Sequence, residues 1–179
     1  MPLTVQDIAR VCRCPIAAVA SNWPRITAEL EARGLRSDLG EVAAAATIAV
    51  ESAHTFRSIN EYGGEEYFRK HYEGRFDLGN VFPGDGAKYH GRGLGQITGR
   101  GMYRAASNAA GVDLETNPEK ALDTDVSARV FAWVFAQKRI AQVAAIQDWE
   151  RVRRRWNGGL NGWDDFKGCV DGLLELIHG

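Results

Sequence analysis

The run Tyr89-His90-Gly91-Arg92-Gly93-Leu94-Gly95-Gln96-Ile97-Thr98-Gly99-Arg100-Gly101-Met102-Tyr103 constrains this chain more than any other stretch. Its five glycines are interleaved with the polar side chains Gln96, Thr98 and Arg100. Glycine lets a backbone approach a ligand closely and take positive φ, at an entropic cost. A chain that needed only a core has no reason to place it so densely. Twelve of the 20 glycines fall between Gly63 and Gly111. Long loops inside a compact domain are usually functional. Residues 55–116 are therefore expected to form a loop-rich lobe, with short helices over Glu65–Tyr72 and Met102–Ala110 and a small hairpin near Asp85-Gly86.

On either side the pattern is helical. Thr4 and Asp7 form a capping box for a helix over Val5–Val11. Pro15 opens a second short helix, and a third follows Trp23-Pro24 and stops at Gly34. Ala43 to Ala46 favour a helix over Leu39–Ala53 and allow close helix packing. Asn117-Pro118 opens a short helix, and Asp123 or Thr124 caps the next one. There Val126, Val130, Phe131, Val134 and Phe135 make a buried stripe. Further helices are expected over Ala141–Arg155 and Asp164–Ile177. The expected class is mainly α, a helical bundle with a glycine-rich lobe lining a groove. Residues 1–179 fit one domain, with 1–37 an N-terminal helical segment and 38–179 the core.

Several function classes are disfavoured. The net charge of −1 offers no global field toward nucleic acid or membrane. The uncharged run Val42–Val50 is too short to span a bilayer. Three cysteines, two of them at Cys12 and Cys14, fit free thiols better than a disulfide framework. The four histidines lack metal-ligand spacing, so no metal or organic cofactor is expected. Gly91-Arg92-Gly93-Leu94-Gly95 follows no apolar strand and is not a dinucleotide fingerprint. Thr4–Trp23 has the outline of a helix-turn-helix, but its second half lacks Lys, Arg and Gln to read bases.

Acids beside a polar, glycine-rich groove point to glycoside hydrolysis, which typically needs two carboxyl groups across the scissile bond. Glu51 follows the apolar face Ile48-Ala49-Val50 and suits the acid, because partial burial keeps a carboxyl protonated. The second carboxylate is Glu61 or Glu73; Glu65 and Glu66 read as an exposed helix N-terminus. Thr98 and Gln96 can position water or an acetamido group, and His54 or His90 can bond in the groove. Asn157, in Trp156-Asn157-Gly158-Gly159, faces it from a third direction. The basic run Arg151, Arg153, Arg154, Arg155 reads first as a solvated helix face, and second as a partner for buried glutamates or an anionic substrate.

Taken in order, several stretches resemble the catalytic domain of the family 19 glycoside hydrolases, and within it the lysozyme-like phage endolysins more than plant chitinases. They are Glu51-Ser52-Ala53-His54-Thr55-Phe56, Asn60-Glu61-Tyr62-Gly63-Gly64, Tyr72-Glu73-Gly74-Arg75, Asp77-Leu78-Gly79-Asn80, Pro83-Gly84-Asp85-Gly86, the Tyr89–Tyr103 run and Trp156-Asn157-Gly158-Gly159-Leu160-Asn161-Gly162. The resemblance implies a lysozyme-like fold with Glu51 as general acid. Glu61 matches the second carboxylate of bacterial members, and Glu73 the longer spacing of plant members. Thr98 matches the hydroxyl that helps hold the nucleophilic water. His54, Tyr89, Gln96, Arg100, Tyr103 and Asn157 are the implied substrate-binding set. Two departures stand out: Met102 replaces a usual Asn, and Val50 rather than His precedes the acid.

The expected function is an endolysin glycosidase that cleaves the β-1,4 strands of peptidoglycan with inversion. The alternatives are a chitinase and, supported by Met102, a non-catalytic glycan-binding module. The partner is peptidoglycan, with no nucleic acid or membrane, and the chain is a monomer cut from a longer modular lysin. With no signal peptide in view, synthesis in the host cytoplasm and action on the wall are expected.

Overall fold

A computed structural model describes residues 2–178. Its α-helices in chain order are α1 (Val5–Val11), α2 (Ile16–Ala32), α3 (Asp38–Glu51), α4 (Glu65–Tyr72), α5 (Asp85–Lys88), α6 (Arg100–Ala110), α7 (Thr124–Gln137), α8 (Ile140–Ala145), α9 (Trp149–Asn157) and α10 (Trp163–His178). Two 3₁₀ turns, Phe76–Leu78 and Pro118–Leu122, complete them. Among the described residues the only β pairing is in isolated antiparallel bridges, Asn60 with Arg92 and Arg92 with Ile97. The chain groups into two compact units. One runs up to Arg57 and resumes at Ala132; the other is Ser58–Phe131.

The first unit is organised around α3. Every residue from Gly40 to Ala49 is buried, so this helix has no solvent face. Alanines at 43 to 46 let α8 and α10 pack against it. The buried carboxylate of Glu41 is satisfied by Arg36 Nε at 2.7 Å and by the Leu3 amide at 3.1 Å. The capping box of α1 is present, with Asp7 N–H on Thr4 Oγ1 at 3.1 Å and Thr4 N–H on Asp7 Oδ2 at 3.2 Å.

Two helix assignments are corrected. The expected break at Pro24 is absent, because Ile16–Ala32 is one helix with Pro24 inside it. Proline removes one ladder bond there. Val19, Trp23, Ile26 and Leu30 nevertheless recur at spacings of three and four, and all are buried. Burial of that stripe outweighs one lost hydrogen bond. Ala141–Arg155, in contrast, is not continuous. Gln147 sits at φ 54° between α8 and α9, and the Asp148 side chain caps α9 through the Arg151 amide at 3.1 Å. That turn leaves Ile146 exposed and sends Trp149 into the core.

In the second unit the hairpin expected near Asp85-Gly86 is instead the single-turn helix α5. The Asp85 carboxylate accepts from the Val81 and Phe82 amides, both at 3.0 Å, and this folds the segment back on itself. Gly99, at φ 88°, lies where a Cβ would stand 2.6 Å from Leu78 Cβ and 2.6 Å from its carbonyl oxygen. Only glycine starts α6 at that approach. The apolar stripe of α7 is buried at all five positions read from the sequence.

Candidate active site

Glu51 is the last residue of α3, where that buried helix leaves the core. The exit is tightly built. Ala53, His54 and Phe56 all have positive φ, at 50°, 60° and 53°. Such conformations cost about 1–3 kcal/mol each and persist only where surroundings over-determine them. Here the Phe56 ring is fully buried and packs edge-on to Trp23 at 6.3 Å, its amide bonds Ser52 Oγ at 2.8 Å, and its carbonyl accepts from Asn22 Nδ2 at 3.0 Å.

The surroundings of Glu51 differ from the apolar pocket expected. Its side chain is 16% exposed, and Oε1 accepts from Arg153 Nη1 at 2.6 Å. Arg153 itself is buried and is fixed by donating Nε to the Asn161 carbonyl at 2.7 Å. Asn157 Nδ2 shares that carbonyl at 3.3 Å, while Asn157 Oδ1 accepts from the Gly159 amide at 2.9 Å. The Asn-Gly-Gly loop therefore does reach Glu51, by way of Arg153. Glu51 Oε2 has no hydrogen-bond partner among the described residues. Lys138 stands within reach of the Glu51 charge, and burial holds its ammonium below the ordinary lysine range. Arg153 takes the second of the two roles read for the basic run. Arg151 and Arg154 are exposed and pair with Asp148 and Glu150.

His54 faces elsewhere. Its Nδ1 lies 2.8 Å from the Cys12 carbonyl and its Nε2 3.8 Å from Asp165, beside the buried free thiols of Cys12 and Cys169.

In the second unit Glu61 is held on both oxygens. Tyr72 O–H donates to Oε1 at 2.6 Å and the Gly91 amide to Oε2 at 3.0 Å, while Glu61 N–H returns a bond to the Gly91 carbonyl at 2.8 Å. Burial first, and then the adjacent Glu61, hold the Tyr72 phenol above its ordinary value, so it stays a donor. A Cβ on Gly91 would stand 2.8 Å from Gln96 Oε1 and 3.1 Å from Glu61 Oε2. Glu61 and Gln96 thus converge on a backbone atom that must lack a side chain.

Glu73 is differently placed. It is exposed, and its two oxygens accept from the Gly84 amide at 2.6 Å and the Gly86 amide at 2.8 Å. Those bonds pull its pKa below the ordinary value, which makes it a loop clamp and a poor base. Gln96 spends its Nε2 on the Ile59 and Gly93 carbonyls at 3.1 and 2.8 Å, so it braces the loop. Thr98, half-buried, donates Oγ1–H to the Gln96 carbonyl at 3.2 Å. His90 stacks on Phe68 at 4.2 Å, and burial lowers its pKa.

Three residues expected to bind substrate are structural instead. Tyr89 and Tyr103 have no exposed surface, and their hydroxyls donate to the Glu115 and His90 carbonyls at 2.8 and 2.7 Å. Neither offers a face to a sugar. Arg100 grips Asp85 with two bonds, at 2.9 and 2.6 Å, and Glu115 with a third at 2.8 Å. Arg153, Lys138 and Tyr72 were not singled out from sequence as individual site residues. Only the density of arginines before Asn157 signalled the first.

Carboxylates of this unit set its acid limit. Arg104, then Arg100, pull Glu115 down to about 2 from an ordinary 4.5, and Arg100 with the Phe82 amide lowers Asp85 despite its burial. A carboxyl with a depressed folded-state pKa lends stability above its unfolded value and loses it as pH falls through the folded one. The melting temperature should therefore hold from pH 7 to 5 and drop between about pH 4 and 2. Circular dichroism melts across that range test this, and a flat profile to pH 2 would count against these ion pairs.

No family model matches the chain. A 94-residue stretch, 52% of this chain, is 39% identical to a glycosyl hydrolase family 19 domain-containing protein of Haemophilus influenzae, and the match covers 45% of that relative, less than half its length. Among solved structures, a chitinase C mutant superposes with a TM-score of 0.73 at 20% identity, covering 96% of this chain and 92% of that one. A bacterial family 19 chitinase gives 0.71 at 18% identity over 95% and 94%. Chitinase C from Streptomyces griseus gives 0.71 at 17% identity over 98% and 75%. The chain is similar in sequence, over about half its length, to a family 19 glycosyl hydrolase domain-containing protein, and similar in fold to solved chitinases.

Proposed function

We propose that this chain is a glycosidase that cleaves the β-1,4 strands of peptidoglycan by an inverting acid–base mechanism. The observation that carries the reading is Glu51: a half-buried carboxyl at the end of a helix buried from Gly40 to Ala49, oriented through Oε1 by Arg153, with Oε2 left without a hydrogen-bond partner among the described residues. In the mechanism, Oε2 protonates the glycosidic oxygen as the bond to the anomeric carbon breaks. Glu61 removes a proton from the water that attacks the opposite sugar face. Tyr72 and the Gly91 amide hold Glu61 in one orientation and leave lone pairs on both oxygens. Glu61 is preferred to Glu73, whose oxygens are committed to two backbone amides.

The deciding experiment is digestion of purified peptidoglycan and of chitin, with mass spectrometry of the products. Release of muropeptides carrying new reducing ends, faster than N-acetylglucosamine oligomers from chitin, supports the reading. The chitinase reading draws on the activity named for the structural relatives, and the reverse preference would establish it. Tight wall binding with no reducing ends would establish the non-catalytic module. Proton magnetic resonance of the first-formed anomer checks inversion.

The route to Glu61 gives a second test. Gly91→Ala places a methyl between Gln96 Oε1 and Glu61 Oε2. Hydrolysis should fall by about 10- to 100-fold, since misplacing a reacting group by about 1 Å costs up to that much. Wild-type kcat in that variant would remove Glu61 from the mechanism.

A further inference from the structure

Many arginines of this chain that reach solvent are matched by a carboxylate. Arg36 pairs with Glu31, Arg69 with Glu65, Arg75 with Asp77, Arg104 with Glu115, Arg151 with Asp148 and Arg154 with Glu150. Exposed Arg13 and Arg57 have no such pair among the described residues, and neither have Arg139 and Arg155, which differ in lying together. Gln137, Lys138, Arg139 and Arg155 line a depression of about 430 Å³. Among the described residues, neither Arg139 nor Arg155 has an ion-pair partner, and both are exposed.

The site is built rather than a chance of long side chains. Arg155 Nη1 donates to the Lys138 and Arg139 carbonyls at 3.3 and 3.4 Å, which ties the guanidinium to the end of α7. Lys138 donates to the Trp156 carbonyl, and its ammonium lies 5.4 Å from the centroid of the indole ring. Arg139 is held at φ 53° at the turn into α8. Lys138 and Arg155 are therefore fixed beside the opening, and Arg139 is carried on the turn at its edge, with Asn157 two residues beyond Arg155. Burial makes the Lys138 ammonium costly and weakens its hold on the proton, an effect that the Glu51 charge offsets only in part. An anion in the depression removes that cost and gains charge-assisted bonds from both guanidiniums.

We propose that the depression between Lys138, Arg139 and Arg155 binds a carboxylate borne by the glycan, of the kind that the lactyl-peptide substituents of peptidoglycan present and that chitin lacks. This rests on the glycosidase reading above and adds to it the element that selects an acidic strand over a neutral one.

The test uses purified peptidoglycan stripped of phosphate-bearing polymers, half of it with its carboxyl groups amidated. Pull-down on ice should show the wild type binding the native wall about 10- to 100-fold more tightly than the amidated wall, the effect of one or two charge-assisted bonds. Arg139→Gln/Arg155→Gln should erase that preference, and Arg139→Gln alone should reduce it, with circular dichroism checking both folds. Equal binding of the wild type to the two walls overturns the proposal, as does a folded double variant that keeps the preference. If the wild type generates reducing ends from both walls but shows no preference, the glycosidase reading stands and this one falls. If the preference is present and no reducing ends form, the acid-binding site stands and the glycosidase reading falls.

Discussion

Glu51→Gln is expected to lower glycan hydrolysis by about 10²- to 10⁴-fold, the usual contribution of a positioned proton donor. The helical circular dichroism should stay native. The amide keeps the size of the carboxyl, and its oxygen can still accept from Arg153, so the buried guanidinium is not orphaned. What the variant loses is the acidic proton. Steady-state kinetics on soluble peptidoglycan fragments separates the cases: a fall in kcat with little change in KM fits a group that acts in the transition state. Retained hydrolysis in a folded variant would end the assignment of Glu51 as acid. Arg153→Met is the informative companion. It leaves the Glu51 carboxyl without its cation, and both stability and the pH profile of activity should move.

Arg100→Ala should be the most destabilising single change in the second unit, by about 3–5 kcal/mol, because it leaves the buried carboxylate of Asp85 without its cation. Asp85 is 2% exposed, and Arg100 grips both its oxygens while reaching Glu115. The guanidinium also lies 5.0 Å from the Phe82 centroid and 4.9 Å from that of Tyr89, so its removal opens a packed site as well. Thermal denaturation should give a melting temperature lower by about 10 °C or more for a chain of this size. Arg100→Ala with Asp85→Asn should recover part of the loss, because the double variant buries no unpaired charge. A destabilisation under 1 kcal/mol in the single variant would show that the network is solvated.

The two carboxylates proposed for the chemistry stand out in the sequence to different degrees. Glu51 ends an alanine-rich apolar stretch, and such a stretch has to be buried, so the acid at its end has to emerge beside the core. Glu61 was one of two options because loop residues have no periodicity to fix their direction. What separates them in the structure is their partners, Tyr72 and Gly91 for Glu61 and Gly84 and Gly86 for Glu73, which sequence position does not reveal. Tyr89, Tyr103 and Arg100 misled for the same reason. An aromatic or a guanidinium in a glycine-rich loop looks available for a ligand, and only tertiary packing puts the two rings in the core and the arginine on Asp85. Arg153 hid in a run of four similar residues, of which one face is buried and the rest are not.

Local patterns alone settled the helical class, the capping box of α1, the buried stripe of α7 and the place where Glu51 leaves α3, since each depends on residues within a few turns of one another. Tertiary structure decided which charges meet: Glu51 with Arg153, Asp85 with Arg100, and Arg139 and Arg155 with no carboxylate at all among the described residues. Charge pairing acts through space over a few ångströms, and the chain brings together residues as far apart as 51 and 153 only once its apolar helices have packed.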